Sequence, residues 1–287
     1  MDHDPTRATG SKAPWRAARG RPTHAPRRAP AWVSTMRPDV SIIVPAHNEE
    51  AYLPRCLDAI RVAASRCAAR VEVVVVLNRC TDRTGAIAEE AGAKVVAEPE
   101  RNLARIRNVG VRCSQADTIV TIDADSTMSA NMLDEVLRRL GTGRFVGGGV
   151  RIMPERMSLG IFFSLMTFAP RLILERGWAG MFWLHRWAFD AVGGFDEELV
   201  SAEDVDFARR LRAYGRSMGL RYGSITRAHI VTSCRKFDHF GDWYLFRHRR
   251  LVSGILSGRD RDAADRFYYD LRQDERDGAT TPGPPHP

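Results

Sequence analysis

From residue 40 onward, the hydrophobic positions of the chain alternate short apolar runs with stretches of helical periodicity. The apolar runs predict strands at Val40–Ala46, Val71–Leu77, Lys94–Ala97, Thr118–Ile122 and 145–150. The stretches between and after them predict helices over about 50–66, 83–92, 101–115, 129–140 and 202–214, the last ended by Gly215. Because the strands are almost continuously apolar, we expect an α/β fold with a mostly parallel central sheet, right-handed crossovers and helices on both faces.

Regular patterning weakens in the second half of the chain. Residues 151–192 are rich in Phe, Met and Trp without a clear period, and the chain from residue 233 onward is basic and aromatic. We therefore predict one domain at 39–277, with a Rossmann-like half at 39–127 and an irregular half with a C-terminal tail at 128–277. Residues 1–38, rich in Pro and Arg, and the Pro-rich residues 278–287 are predicted to be disordered.

The net charge of +8 is concentrated at the N-terminus, where residues 1–37 hold eight basic side chains and two acidic ones. The rest is nearly balanced, which argues against a nucleic-acid partner. The five scattered cysteines, with no CxxC pair, fit a reducing cytoplasm better than a disulfide framework. The longest apolar stretch, 159–169, is shorter than the ~20 residues that span a bilayer. Any membrane contact is therefore expected to be peripheral, at the inner face.

Polar side chains follow three of the predicted strands, at the edge where parallel sheets bind ligands. The segments are AHNEE (46–50), NRCTD (78–82) and DAD (123–125). Asp123 and Asp125 can converge on one hard divalent cation, Mg²⁺ or Mn²⁺, which would neutralise the charge of a leaving diphosphate. The alternative is that Asp125 caps a following helix, and the residues alone do not decide between the two.

A second acidic segment, SAED (201–204), also has two interpretations. It fits a capping box in which Ser201 caps a helix and Asp204 lies at the third helical position. It equally fits a general base, because an attacking hydroxyl must pass its proton to a carboxylate within hydrogen-bond reach.

Other residues carry weaker signals. Asn48 and the pair Thr81-Asp82 can begin helices or contact a nucleoside, and His229 is either a structural histidine or a third metal ligand. The glycines at 147–149 are not a P-loop, because no helix start or Lys-Ser/Thr pair follows them. Phe162, Phe163 and Phe168 are expected in the core or along an acceptor groove rather than on a membrane face.

Taken together and in order, these segments resemble the inverting family 2 glycosyltransferases of the GT-A fold. The matching motifs are SIIVPAHNEE (41–50), LNRCTDRT (77–84), ARIRNVG (104–110), DAD (123–125), GGFDE (193–197) and EDVD (203–206). The resemblance implies a nucleotide-diphosphate-sugar donor and a single in-line displacement at the anomeric carbon, with inversion. It makes 39–127 the nucleotide-sugar half and 128–277 the acceptor half.

The same resemblance implies the roles of individual residues. Asp123 and Asp125 correspond to the DxD motif that holds Mn²⁺ or Mg²⁺ and the donor diphosphate, and Asp204 corresponds to the catalytic base. The positions expected to contact the donor nucleotide are Pro45, Asn48, Glu49, Asn78, Arg107 and Asp123. The acceptor is expected to be a hydroxyl of a sugar, a lipid phosphate or a small molecule.

One departure from the family pattern concerns the donor base. Asn78 stands where the family commonly has a base-reading aspartate, and an amide both donates and accepts hydrogen bonds. The sequence therefore leaves uridine, guanosine and other nucleosides open. Two alternatives to a glycosyltransferase are a nucleotidyltransferase of similar fold and a non-catalytic protein that binds nucleic acid or membrane through the Arg-rich N-terminus.

Overall fold

A computed structural model describes residues 37–167 and 180–248. The predicted N-terminal leader, apart from residues 37 and 38, lies outside the described residues. Phe168, the part of the C-terminal tail beyond residue 248 and the predicted disordered segment 278–287 also lie outside them.

One mixed eight-stranded sheet organises the described residues, in the order β3-β2-β1-β4-β7-β6-β8-β5. Its strands are β1 (Val40–Ala46), β2 (Val71–Leu77), β3 (Lys94–Ala97), β4 (Thr118–Ile122), β5 (Ser126–Met128), β6 (Phe145–Pro154), β7 (Met181–His185) and β8 (Arg221–Thr232). The first four strands pair in parallel, as do β6 and β8. Strand β7 is antiparallel to both β4 and β6, and β5 is antiparallel to β8.

Helices cover both faces of this sheet. They are α1 (Leu53–Arg66), α2 (Thr84–Glu90), α3 (Leu103–Cys113), α4 (Met132–Leu140), α5 (Leu159–Met166), α6 (Arg186–Ala191), α7 (Glu203–Ser217), α8 (Arg235–Phe240) and α9 (Tyr244–Arg247). Buried side chains of α1, α2 and α4 pack with one face of β1, including Ile42 and Val44. Buried side chains of α3, α6 and α7 pack with the other face, which presents Ile43. The predicted α/β class, its parallel strands and its two helical layers are confirmed.

The second half of the chain is more regular than its sequence pattern predicts. Strand β7 lies inside the segment expected to be irregular and occupies the middle of the sheet, and the twelve-residue strand β8 was not predicted. The helix predicted from residue 129 begins at Met132, after the short strand β5. Helix α7 continues past Gly215 to Ser217, so the predicted helix end is wrong.

The glycine triplet at 147–149 has a packing role. A Cβ on Gly148 would collide with the backbone carbonyl of Gly223 in β8 and with the ring of Trp183 in β7. The Trp183 ring is fully buried, and its Nε1 donates a hydrogen bond of 2.8 Å to the carbonyl oxygen of Gly149. The triplet therefore brings β6 close to β8 and seats the tryptophan that fills the sheet centre.

Helix α5 carries large apolar side chains at the surface. Phe162 and Phe163 are 47% and 42% exposed, so the expectation that they lie in the core is wrong. Leu159 is 74% exposed, and Trp243 stacks on Phe163 with ring centroids 5.7 Å apart. Within the two described ranges, none of the helices has both the length and the apolar character needed to cross a membrane.

Candidate active site

A cavity of about 110 Å³ opens where the carboxyl ends of β1, β2 and β4 meet the start of α7. This is the edge at which a parallel sheet gathers the residues that follow its strands. Its polar lining consists mainly of His47, Glu49, Asn78, Asp123, Asp125, Glu203, Arg235 and Lys236, and Pro45 contributes to its apolar wall. Three predicted strand ends therefore contribute to one site.

Asp123 is tied to the start of α7 by a buried arginine. Arg107 in α3 donates to Asp123 Oδ1 at 2.9 Å and to Glu203 Oε1 at 2.5 Å, and its guanidinium lies 5.4 Å from the Phe195 ring. Burial alone would lower the pKa of Arg107, but the two carboxylates outweigh it and raise that pKa. Burial raises the pKa of Asp123, and Arg107 opposes this increase.

The position of Arg107 corrects its predicted role as a nucleotide contact. Its side chain is only 4% exposed, and it is absent from the cavity lining. A buried charge needs compensating partners, and those of Arg107 come from β4 and α7. The arginine joins the two acidic segments of the site from behind.

Asp125 is held by the segment that follows β8. Its backbone oxygen accepts from the Ser233 N–H at 3.2 Å, and its Oδ2 accepts from the Ser233 hydroxyl at 3.1 Å. Arg235 approaches the same Oδ2 at 3.1 Å and forms a two-pronged pair with Glu49, both contacts at 2.8 Å. The residues after Asp125 form strand β5, so the alternative that Asp125 caps a helix is wrong.

The two carboxylates of the DAD segment fit a divalent cation. Asp123 Oδ2 lies outside the Arg107 hydrogen bond, and among the described residues the hydrogen bond to Asp125 Oδ1 comes from the Ser126 hydroxyl, at 3.5 Å. Mg²⁺ and similar hard cations commonly take one or two carboxylates together with phosphate oxygens.

His229 does not join these carboxylates. It lies in β8, one position beyond the last residue pair of β5 and β8. There its backbone N–H donates to the Ser129 hydroxyl, and its carbonyl oxygen accepts from the Ser129 N–H. Among residues 37–167 and 180–248, no three His, Cys, Asp or Glu side chains gather as a metal-ligand group. The expected third ligand is therefore wrong for the arrangement described.

Asn78 presents an unpaired acceptor in the cavity lining. Its side-chain nitrogen donates to the carbonyl oxygens of Glu98 and Glu100, both at 2.7 Å. These two bonds fix the orientation of the amide. Its Oδ1 is buried and has no hydrogen-bond partner within the part of the chain that the structure describes. A buried acceptor without a partner is costly, and a ligand donor is one way to satisfy it.

Asn48 connects two loops instead of lining the cavity. It has a φ of 51°, and its Oδ1 accepts from the backbone N–H of Thr81 at 2.8 Å. Helix α1 begins only at Leu53, so the helix-cap interpretation of Asn48 is wrong. Asp82 does accept from the N–H of Thr84, at the start of α2.

The acidic pair at the start of α7 divides into two environments. Glu203 is buried, lines the cavity and pairs with Arg107, whereas Asp204 is half-buried and outside the lining. Ala202 precedes them with a φ of 54°, and no side chain caps this helix end, so the capping-box interpretation is wrong. Burial, together with the carboxylate of Glu203, raises the pKa of Asp204.

Sequence reasoning missed Glu203, Arg235 and Lys236 as lining residues. Glu203 had a signal, because it adjoins Asp204 in a motif already identified. Arg235 and Lys236 lie more than one hundred residues beyond Asp125 in the chain. Only the pairing of β5 with β8 brings them to the site.

Comparison with known proteins shows which proteins the chain is similar to. Residues 41–176, just under half of the chain, match the family model described as glycosyl transferase family 2. The probable glycosyltransferase YdaM of Bacillus subtilis is 27% identical to this chain over 221 residues, covering 68% of the chain and 52% of YdaM. The chain spans about half or less of the length of several curated relatives, down to 31%.

Solved structures show that the fold is the GT-A fold of such enzymes. A mannosyltransferase of Pyrobaculum calidifontis, solved with GDP-Man and Mn²⁺, superposes with a TM-score of 0.58 at 22% identity. The superposition covers 78% of this chain and 64% of the solved chain. Glucosyl-3-phosphoglycerate synthase of Mycobacterium tuberculosis, solved with Mn²⁺ and UDP, has a TM-score of 0.54 at 19% identity, covering 77% and 80%.

Proposed function

We propose that this protein transfers a sugar from a nucleotide-diphosphate-sugar donor to an acceptor hydroxyl, in a single displacement that inverts the anomeric carbon. The observation that carries the proposal is the cavity, which Asp123 and Asp125 line together with Glu203, the residue that precedes Asp204 at the start of α7. A leaving diphosphate needs its charge stabilised, and an attacking hydroxyl needs a base. The match of residues 41–176 to glycosyl transferase family 2 favours this reaction over nucleotidyl transfer.

Asp123 and Asp125 would hold Mn²⁺ or Mg²⁺. The support is their uncommitted carboxylate oxygens and the two structural neighbours, which were solved with Mn²⁺ and a guanosine or uridine nucleotide. When bound, the cation supplies positive charge to the diphosphate as it leaves. Arg107 opposes the rise in the pKa of Asp123 that burial causes, and it fixes the side chain in place, since its guanidinium holds Oδ1.

Asn78 would select the donor base. Both N–H groups of its amide are bonded to backbone carbonyls, so only the acceptor Oδ1 is left for a ligand. In this respect the asparagine offers what a carboxylate offers. A ring N–H, as in uracil or guanine, would satisfy Oδ1, and so would the amino group of adenine or cytosine. The guanosine and uridine nucleotides in the two structural neighbours favour the first pair, and we propose uracil or guanine as the donor base.

Asp204 would take the proton from the acceptor hydroxyl. Its Oδ1 accepts from the N–H of Val205 at 2.7 Å, which leaves Oδ2 for the acceptor. The raised pKa makes this carboxylate a better proton acceptor than an ordinary aspartate once it is ionised. Glu203, paired with Arg107, fixes the helix start on which Asp204 lies.

The acceptor side would include a surface that contacts lipid. The exposed side chains of α5 adjoin α9, and residues 157–167 contain no charged residue. A helix that is apolar all round is normally buried or in contact with membrane. Arg247 and His248 are exposed at the end of α9, which suits a surface rich in anionic lipid.

The proposal is tested by calorimetric titration of the full chain with UDP, GDP, ADP and CDP, each with Mn²⁺ and with EDTA. We expect UDP or GDP to bind with Mn²⁺, and ADP and CDP to bind at least ~10-fold more weakly, the equivalent of one hydrogen bond to a buried group. Asp125→Asn should weaken the Mn²⁺-dependent binding. If none of the four nucleotides binds, the proposed function is wrong, and equal binding of all four would remove the role of Asn78.

A further inference from the structure

Arg235 forms a buried ion-pair network at the edge of the cation site. Its side chain is 10% exposed and lies between Glu49, which is 3% exposed, and Asp125, which is 16% exposed. The guanidinium also lies 5.0 Å from the centre of the Tyr52 ring. Three separate regions of the chain therefore meet at one fixed positive charge: the loop after β1, the end of the DAD segment and the start of α8.

This charge already compensates Asp125. An arginine remains protonated at any physiological pH, and here the carboxylates of Glu49 and Asp125 raise its pKa further despite burial. A divalent cation on Asp125 would lie beside the guanidinium and be repelled by it, and this repulsion is weakly screened at a buried position. A donor diphosphate brings new negative charge that offsets this repulsion and makes the cation more favourable there.

The hydrogen bonds around Asp125 keep the arginine in this position. Ser233 bonds to both the backbone oxygen and the Oδ2 of Asp125, two residues before Arg235 in the chain. The pair with Glu49 uses both terminal nitrogens of the guanidinium, so its plane is fixed. A flexible surface cation would move away from an approaching metal ion, whereas this one is held.

We propose that Arg235 is a positioning residue that makes divalent-cation binding depend on the nucleoside diphosphate. The guanidinium acts as the counter-ion of Asp125 in the free protein, and the cation binds only together with the diphosphate. This proposal rests on the proposed function, because it assumes that Asp123 and Asp125 hold the cation. It predicts an ordered site in which nucleotide and metal enter together.

The test is Mn²⁺ binding followed by the loss of the free Mn²⁺ signal in electron paramagnetic resonance, which needs no turnover. The full chain is titrated alone and with saturating UDP or GDP. We expect Mn²⁺ to bind the unmodified protein at least ~10-fold more tightly with nucleotide than without it. Equal affinity with and without nucleotide would overturn the proposal.

Two variants sharpen this test. Arg235→Gln removes the guanidinium and leaves Glu49 and Asp125 uncompensated, so Mn²⁺ affinity without nucleotide should rise by ~10-fold or more. Arg138→Gln is the matched control, since it removes one positive charge from an exposed pair with Glu135 on α4 and should change nothing. Unchanged nucleotide-free affinity in Arg235→Gln would contradict the proposal.

The outcomes separate this inference from the proposed function. If UDP and GDP fail to bind the unmodified protein under all conditions, the proposed function fails. If one of them binds with Mn²⁺ but Arg235→Gln leaves nucleotide-free Mn²⁺ binding unaltered, only the role of Arg235 fails. Should Arg235→Gln not fold, as judged by circular dichroism, equal Mn²⁺ affinity of the unmodified protein with and without nucleotide would still overturn the proposal.

Discussion

Asp204 differs from the other carboxylates of the site because it has no cationic partner among the hydrogen bonds and ion pairs of the described residues. Arg107 pairs with Asp123 and Glu203, and Arg235 pairs with Glu49 and Asp125. Among the described residues, Asp204 accepts a hydrogen bond only from the N–H of Val205. A carboxylate in this condition binds a proton more readily than its neighbours do. The contrast supports the proposed role of Asp204 as the base and a charge-organising role for the others.

Asp204→Asn should lower the rate of transfer by at least ~100-fold, the usual contribution of a general base, and leave nucleotide binding unchanged. Asp206→Asn is the control on the same helix, because Asp206 is held in ion pairs with Arg209 and Arg210 and has no proposed role in the reaction. Steady-state rates together with calorimetric nucleotide titrations measure both effects. Near-normal transfer by Asp204→Asn would remove Asp204 as the base.

The pH dependence of the reaction has a definite sign. The base must be ionised, so kcat/KM should fall as pH decreases through the pKa of Asp204, which lies above the ordinary value of 3.8. Since this pKa is raised in the folded protein, ionising Asp204 also costs stability as pH rises through it. Asp204→Asn should therefore be at least as heat-stable as the unmodified protein at neutral pH. A pH-rate limb centred at or below 3.8 would contradict the assignment.

Asn78 illustrates how far residue type alone predicts a site. The sequence places it correctly at the end of β2, but as a free amide it is equally a donor and an acceptor. Its donors are used by the carbonyls of Glu98 and Glu100, which follow β3. Which of its hydrogen-bonding groups remains available depends on the neighbouring strand, so the local motif alone cannot predict it.

At the scale of elements, Arg107 joins α3 to the end of β4 and the start of α7. Removing one partner of a buried ion pair leaves uncompensated charge and typically costs about 3–5 kcal/mol. We expect Arg107→Met to lower the free energy of unfolding by about that amount, measured by urea denaturation, because Asp123 and Glu203 then repel each other.

The control for this variant is another arginine of α3. Arg105 is 44% exposed and pairs with Glu98 and Glu197, so Arg105→Met should cost no more than about 1 kcal/mol. Equal losses in the two variants would mean that Arg107 does not organise the site. Because the side chain is so deeply placed, its loss should also reduce transfer by displacing Asp123 and Asp204.

Pattern predicted the first half of the fold well and the second half poorly, for a physical reason. Strands β1, β2 and β4 are covered on both faces, and continuous burial leaves an apolar run that is easy to recognise. Strand β8 mixes buried Ile225 and Ile230 with exposed Thr226 and Arg227, and its pairing with β6 contains a register shift. Such a strand has no uniform period of buried residues. Because the position of Arg235 depends on where β8 ends, the sequence pattern could not place Arg235 either.

At the scale of the whole molecule, charge and apolar surface separate. The acidic side chains that line the cavity form ion pairs with two arginines. The apolar surface lies elsewhere, on α5 and beside Trp243 and Phe246. The nearby acids Asp238 and Asp242 pair with Arg156 and so do not oppose an anionic partner. A glycosyltransferase with a lipid-borne acceptor needs this arrangement, because the donor is dissolved in water and the acceptor lies in a membrane.

The apolar surface of α5 leads to a prediction that vesicles can test. Leu159 and Phe162 are 74% and 47% exposed, and burying such side chains in a lipid interface contributes about 1.5–3 kcal/mol each. The double variant Leu159→Ser with Phe162→Ser should therefore reduce co-flotation with vesicles containing anionic phospholipid by at least ~10-fold. Met218→Ser is the control, because Met218 is a similarly exposed apolar residue, at 56%, that lies at the end of α7 and does not belong to α5. Unchanged flotation of the double variant would contradict lipid contact. If the double variant also shifted from dimer to monomer without any loss of vesicle binding, the surface would instead join two copies of the chain.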